Sequence, residues 1–287
     1  MKVYILIVNY NSWEYSLELL ESISNSTNKS YQLVIVDNCS TDDSYHQLES
    51  SEYKFELLQT DKNGGFAYAN NHFLQQIVEE DAYVWLLNPD TIVEKGALDI
   101  LLQAIEKREK YIYTTSIYGI GEKSNQRRSG LCKINKSLGL TSHITKPKDI
   151  SNADYVYGAS FFCHSSAFKE VGLFPIHYFL YWEETEWCLL AKRQAYSFKW
   201  VEEAVIYDKV SSHSQEKQFV SEYYYSFNAL RFFKKHYPYH LPFVLCANVL
   251  RYWYRKIKGS RNRSKAIVKA TTDFLKKKPI PLPTQIS

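Results

Sequence analysis

Apolar and polar positions alternate along the first third of the chain in blocks that change period. Val3–Val8 is a short apolar run, and Trp13–Ser24 then carries Leu17, Leu20 and Ile23 at helical spacing. Leu33–Val36 is a second apolar run, ending at Asp37-Asn38. Ser40-Thr41-Asp42-Asp43 follows and supplies capping hydroxyls and first-turn acids for another helix. Phe55–Leu58 predicts a third strand, and Asn63-Gly64-Gly65 predicts a turn opening a helix through Ala67, Asn71 and Leu74. Tyr83–Leu87 predicts a fourth strand, and Leu98, Leu101, Leu102 and Ile105 form the stripe of the helix after it. Strands alternating with helices imply an α/β fold with a mostly parallel sheet and right-handed crossovers. Ligands of such sheets sit beyond the carboxyl ends of the strands, where Asn9, Asp37 and Asp90 all fall.

Beyond residue 118 the pattern weakens. Residues 119–148 are rich in Ser, Lys, Gly and Asn and predict a long loop. Order returns at Tyr155–Phe162, with a helix around Ala167 and a strand over Phe198–Tyr207. The 287 residues suffice for one large α/β domain with an appendage. Near the end, Leu245, Val249, Trp253 and Ile257 recur every fourth position with Leu250 beside them, and Arg251, Arg255 and Lys258 fall opposite. Composition sharpens this division. Residues 231–278 hold fourteen Lys and Arg and one acid, Asp273, which leaves 21 bases and 30 acids in residues 1–230. A basic amphipathic helix bearing Trp and Tyr suits either an anionic membrane surface or a packed helix with a solvated basic face. The acidic body argues against a nucleic-acid partner. Five dispersed cysteines without a Cys-x-x-Cys pair argue against a disulfide framework and a zinc site. The apolar start is too short for a signal peptide or a membrane span, so the expectation is a cytoplasmic protein, peripheral on the inner face of a membrane.

Two acidic signatures carry the candidate chemistry. Leu86-Leu87-Asn88-Pro89-Asp90-Thr91 places one carboxylate just past a buried strand, suited to a divalent cation that completes its shell with substrate oxygens and water. Phe179-Leu180-Tyr181-Trp182-Glu183-Glu184-Thr185-Glu186 sets three acids among large aromatics. Mutual repulsion and low dielectric raise carboxyl pKa values toward the range of a general base, although three acids also suit the first turn of a helix. The aromatic share, 16% with 24 Tyr, is high and suits sugar or polar-ligand contact.

In order along the chain stand Ile7-Val8-Asn9-Tyr10-Asn11, Val36-Asp37-Asn38-Cys39-Ser40-Thr41-Asp42, Asn63-Gly64-Gly65-Phe66-Ala67, Leu87-Asn88-Pro89-Asp90-Thr91, Tyr157-Gly158-Ala159-Ser160, Val171-Gly172-Leu173-Phe174 and the acidic run from Phe179 to Glu184. With these motifs the chain resembles the family 2 glycosyltransferases of GT-A fold, in their rhamnosyltransferase-like branch. The resemblance implies inverting transfer of a sugar, rhamnose or a hexose, from a dTDP- or UDP-sugar to a hydroxyl of a glycan or lipid-linked acceptor, in bacterial surface polysaccharide synthesis (capsule or O-antigen). It implies donor contacts from Asn9, Asn11, Asp37, Asn63, Asn88, Gly158 and Ala159, with Asp37 reading the nucleotide base. It also implies Mn²⁺ or Mg²⁺ on Asp90, and Glu184, beside Glu183, as catalytic base. Asp208 stands where the family has a His before its Lys-Val-Ser-Ser-like run, so Asp208 or His213 completes the metal site. Leu190 and Ala195 stand where Arg and Gly are typical. The implied units are a GT-A catalytic domain over 1–230, split at 118 into nucleotide-sugar and acceptor halves, and a basic helical extension over 231–287. The rival readings are a nucleotidyltransferase and a membrane-docked binding protein on a weakened transferase fold.

Overall fold

The computed structural model describes residues 1–106, 110–120, 127–209 and 215–282, with side chains for all of these except 215–217. Numbered in chain order, the strands are β1 (Lys2–Asn9), β2 (Gln32–Asp37), β3 (Glu56–Gln59), β4 (Ala82–Leu87), β5 (Thr91–Val93), β6 (Tyr111–Ile120), β7 (Arg128–Ser129), β8 (Leu131–Asn135), β9 (Leu140–His143), β10 (Tyr155–Val156), β11 (Ser160–His164) and β12 (Ser197–Lys209). The α-helices are α1 (Trp13–Ser26), α2 (Ser44–Glu49), α3 (Phe66–Ile77), α4 (Ala97–Gln103), α5 (Ser166–Val171), α6 (Glu183–Arg193), α7 (Gln215–His236), α8 (Leu241–Ile257) and α9 (Arg261–Leu275).

The main sheet runs β3-β2-β1-β4-β11-β6-β12-β5, with β7 added to β6. Its first four strands are parallel, as are β6 and β12, whereas β11 and β5 pair antiparallel to their neighbours. The apolar runs of β1, β2 and β4 are buried on both faces, as expected of central parallel strands. One face is covered by α1, α2 and α4 through Leu19, Leu20, Ile23, Leu48, Leu98 and Leu101. Helices α3, α5, α6 and α7 cover the other through residues such as Phe73, Phe168, Trp187 and Phe232.

Of the expected loop over 119–148, residues 121–126 lie outside the described residues, and the rest is largely ordered. Strand β6 continues to Ile120, and β8 forms a three-stranded sheet with β9 and β10. Leu131, Cys132 and Ile134 are buried while Lys133 and Asn135 are exposed, and Ile144 closes the end. This alternation covers too few residues, among too many Ser and Lys, to stand out in the sequence.

The C-terminal helices are part of the same body. Helix α7 is continuous through residue 230 and buries Phe227, Ala229, Leu230, Phe232 and Phe233, while Ala266 and Ala270 of α9 join a cluster with Tyr223 and Tyr224. Of the two sequence readings of helix α8, the packed helix with a solvated basic face is not the one observed. Val244, Ala247 and Asn248 face inward, and Leu245 packs on the core, but Val249, Leu250, Trp253 and Ile257 are 53–82% exposed. Arg251 and Arg255, expected on a solvated basic face, turn inward to Glu222. A buried carboxylate that needs partners outweighs the stripe as the orienting force.

Candidate active site

The site begins at the ends of β1 and β2, where parallel pairing sets Asn9 beside Asp37. Both are fully buried. Asp37 Oδ1 accepts from Asn9 Nδ2 (2.9 Å) and Ser40 Oγ (2.6 Å), and Oδ2 accepts from the Ser40 amide (3.0 Å) and Gln59 Nε2 (3.2 Å). Asn9 Oδ1 in turn accepts from Ser12 and Ser16. Ser40 and Thr41, expected to cap α2, are thus used elsewhere. Ser40 serves Asp37, and Thr41 exchanges hydrogen bonds with Asn11, while the Ser44 amide is taken by Asp42. A buried carboxyl group must find donors inside the fold, whereas an exposed helix start can turn to water. Asn38 Nδ2 bonds Asn63 Oδ1 (2.9 Å), which carries the polar rim on to the turn before α3.

That turn fixes the two halves of the site against each other. A Cβ on Gly65 (φ +86°) would lie 1.9 Å from the Phe179 carbonyl oxygen, and the Phe66 amide donates to that oxygen at 3.2 Å. Only glycine permits this approach. The acidic run continues from Phe179 through Tyr181 (φ +65°) and Trp182 (φ +77°), two left-handed non-glycine residues in succession. Such backbone persists only where its surroundings over-determine it. Here Asn228 of α7 donates to the carbonyls of Leu180 (2.8 Å) and Tyr181 (3.3 Å), and the Trp182 indole donates to the Tyr225 carbonyl (3.0 Å). Ala195, where glycine is typical, also stands at φ +66°.

The turn delivers three glutamates to the start of α6 with separate fates. Glu186 is buried and accepts from Tyr178 Oη (2.6 Å) and Lys235 Nζ (2.6 Å), with His236 at 3.0 Å and His177 at 3.5 Å. Burial opposes its ionisation, but His177, His236, Lys235 and Tyr178 together outweigh it and hold the carboxyl far below the usual range. The expectation of three acids with raised pKa values therefore fails at Glu186. It holds at the other two. Burial, then the neighbouring Glu184, pushes Glu183 well above its ordinary value, and burial pushes Glu184 up to about 7. Each keeps one buried carboxyl oxygen, Oε2, without a hydrogen-bond partner. Glu184 lines a cavity of about 170 Å³ with Tyr155, Tyr157, Tyr181, Tyr225 and His143.

Asp90 and Asp208 meet at the far side of Tyr157 and Tyr181. Asp208 pairs with Thr91 across β12 and β5, and the Lys209 amide donates to the Asp90 carbonyl. Burial, then the charge of Asp208, pushes the Asp90 carboxyl up to about 6. Arg128 bonds Asp208 Oδ2 at 2.5 Å. The Tyr157 hydroxyl is raised by burial first and then by Asp208 and Asp90. That of Tyr181 is raised by burial and then by Glu183, Glu184 and Asp90, so the two rings bridge the acid pairs. Asn88 joins from below, its amide reaching the Ala159 carbonyl at 3.5 Å, and the Gly158 amide donates to Glu184. Tyr157 and Tyr181 thus link Asp90 and Asp208 to Glu183 and Glu184, with Gly158 bonded to Glu184, while Asn9, Asn11, Asp37 and Asn63 form a separate hydrogen-bonded group at the ends of β1 and β2. His213 lies outside the described residues. Arg128, Tyr157, Tyr181 and His143 had no assigned role. Arg128 carried no signal, standing in the unpatterned stretch, whereas Tyr157 and Tyr181 lay inside quoted motifs.

Among the described residues no three His, Cys, Asp or Glu gather as a metal cluster. The two hard-oxygen donors Asp90 and Asp208 nevertheless fit a divalent cation, because their mutual repulsion in a buried setting is what a dication relieves.

A family model described as "Glycosyl transferase family 2" matches residues 4–172, more than half of the chain. The chain belongs to glycosyl transferase family 2. Among the relatives of this family 2 chain is the low-salt glycan biosynthesis hexosyltransferase Agl10 of Haloferax volcanii, 25% identical over 66% of this chain and 61% of the relative. The chain spans less than two thirds of the length of the curated relatives it matches first. Among solved structures, GalNAc-T7 with UDP, GalNAc and Mn²⁺ gives a TM-score of 0.59 at 14% identity, over 80% of this chain and 51% of that one. S. aureus TarS 1-349 with UDP-GlcNAc gives 0.55 at 15% identity, over 97% of this chain and 93% of that one. These likenesses show the GT-A fold for this family 2 member.

Proposed function

We propose that this family 2 chain transfers a sugar, with inversion, from a nucleotide-sugar donor to a hydroxyl of a glycan or lipid-linked acceptor, in building a surface polysaccharide. The observation that carries the reading is Glu184, a buried carboxyl with a free oxygen and a pKa near 7, facing a cavity and set across two tyrosines from Asp90 and Asp208. The Glu184 carboxylate takes the proton of the acceptor hydroxyl as its oxygen bonds to the anomeric carbon. The bond from that carbon to the donor diphosphate breaks, and the diphosphate leaves with the electron pair. Asp37, held rigid by its four donors, and the Asn9–Asn11–Asn63 rim receive the nucleoside, with the donor sugar against Asn88 and Gly158-Ala159. Asp90 and Asp208 would hold Mn²⁺ or Mg²⁺, which would supply positive charge for the leaving diphosphate. Residues 1–118 serve the donor and 119–230 the acceptor, with 231–287 as the extension. The donor's rhamnose identity rests on the motif resemblance. The nucleotides bound by the TarS and GalNAc-T7 structures make UDP-hexoses the next class to try.

Metal-dependent donor hydrolysis without acceptor tests this reading. EDTA is expected to abolish it, and Asp90→Asn to weaken Mn²⁺-dependent donor binding about tenfold or more, by calorimetry. Turnover undiminished by EDTA removes the metal assignment.

The outward face of α8 supports contact with an anionic membrane on the cytoplasmic side. Val249, Leu250, Trp253 and Ile257 are exposed beside the exposed Lys256 and Lys258, an apolar stripe with a basic border. Among the described residues no helix is long and apolar enough to cross a membrane. Co-sedimentation with phosphatidylglycerol vesicles is expected to weaken with salt, and to fall about fivefold or more in Trp253→Ser. Absence of binding to anionic vesicles at low salt removes the membrane contact.

A further inference from the structure

A second, larger cleft of about 570 Å³ opens between β9, α7 and α8. Thr141, Tyr181 and Tyr225 line both it and the cavity that holds Glu184, so the two spaces share a wall. Its other side is basic, with Arg251, Arg255 and Arg263 against one carboxylate, Glu222. Glu222 is 7% exposed and ties down two of the three, with Arg255 at 3.1 Å and Arg251 closer still, while Arg251 also donates to Asn248 Oδ1 (3.0 Å) and lies over the Tyr225 ring. Arg263 has no carboxylate partner among the described residues. The cleft therefore keeps an excess of two positive charges, in guanidinium groups whose forks match phosphate oxygens. Tyr254, 57% exposed, and Tyr225 add aromatic faces suited to a sugar ring.

We propose that this cleft is an acceptor subsite for a phosphate ester, mono- or diphosphate, carried next to the sugar whose hydroxyl enters the Glu184 cavity. The proposal rests on the reading of Glu184 as the base. It adds that the acceptor is anionic and that α8 and α9 select it. Glu222 preorganises two of the arginines at the cost of one unit of the cleft's charge, and Arg263 supplies the unneutralised third.

The test is binding of inorganic pyrophosphate to the full chain by calorimetry in EDTA, which leaves Asp90 and Asp208 repelling the anion. Saturable binding is expected, weakened about tenfold by Arg263→Gln, a half-buried surface change that leaves folding intact. Glu222→Gln, with folding checked by melting, is expected to tighten binding severalfold because it removes the opposing charge. No binding, or equal affinity in the parent chain and Arg263→Gln, overturns the subsite. Two further probes separate the sources of the phosphate. Glucose 1-phosphate binding as tightly as farnesyl diphosphate in phosphatidylcholine vesicles assigns recognition to a phosphate on a soluble glycan. At least tenfold tighter binding of the vesicle probe assigns it to a lipid carrier. Donor hydrolysis with Mn²⁺ in the same samples reports on the transferase reading separately. If hydrolysis is present and the pyrophosphate titration is flat, the subsite alone falls.

Discussion

Glu184→Gln is expected to slow sugar transfer by about 10²–10⁴-fold while making the folded chain more stable at pH 8. The two effects share one cause. Burial raises the Glu184 carboxyl to about 7, beside a Glu183 that is raised further. The folded chain therefore holds a proton that the unfolded chain, titrating near 4.3, releases. A carboxyl raised on folding favours the native state below its unfolded pKa, and that advantage is lost as pH rises toward 7. Gln removes the penalty, so the variant's gain, at most about 3–4 kcal/mol by the shift, should show in melts at pH 8 and vanish near pH 4. The parent enzyme's transfer rate should fall on the acid side of about pH 7, as the base becomes protonated. Unchanged turnover in Glu184→Gln would remove Glu184 as the base, and a variant whose stability relative to the parent is the same at pH 8 as at pH 4 would remove the raised carboxyl.

At Glu186, one turn position further on, the opposite sign is expected. Glu186→Gln should cost about 3–5 kcal/mol of stability, because it leaves Lys235, His236 and Tyr178 around a neutral amide in a buried site. The lowered carboxyl contributes stability above its unfolded pKa and loses it as pH falls through the folded value. The deficit should accordingly be full at pH 7 and shrink below pH 4. Urea unfolding at the two pH values measures it. A Glu186→Gln chain as stable as its parent at pH 7 would mean that the network is only apparent. Together the two glutamate variants separate an acid kept for chemistry from one kept for structure, two residues apart with the same side chain.

The first half of the fold was legible because its strands are buried on both faces and announce themselves as unbroken apolar runs, as at Leu33–Val36 and Tyr83–Leu87. Parallel pairing of β1 and β2 alone sets Asn9 beside Asp37. The small sheet of β8, β9 and β10 escaped because four or five residues alternating among Ser and Lys leave no usable period. Arg128 escaped with it, although it is the partner of Asp208. For Glu183, Glu184 and Glu186, composition pointed to raised pKa values, but which acid is relieved depends on Lys235 and His236, some fifty residues away. The orientation of α8 was hidden for a similar reason. An apolar stripe on a helical wheel says nothing about which side a distant Glu222 will claim.

The strained turn at Tyr181 and Trp182 has a consequence for the order of folding. The Asn9–Asp37–Asn63 rim takes its side-chain hydrogen bonds from residues 9–65. The turn that aims Glu184 is held by Asn228 and Tyr225, on a helix that is itself clamped by Ala266 and Ala270. Placement of the base therefore waits for α9 to dock on α7, whereas the partners of Asp37 all come from β1 to β3 and the turns beside them.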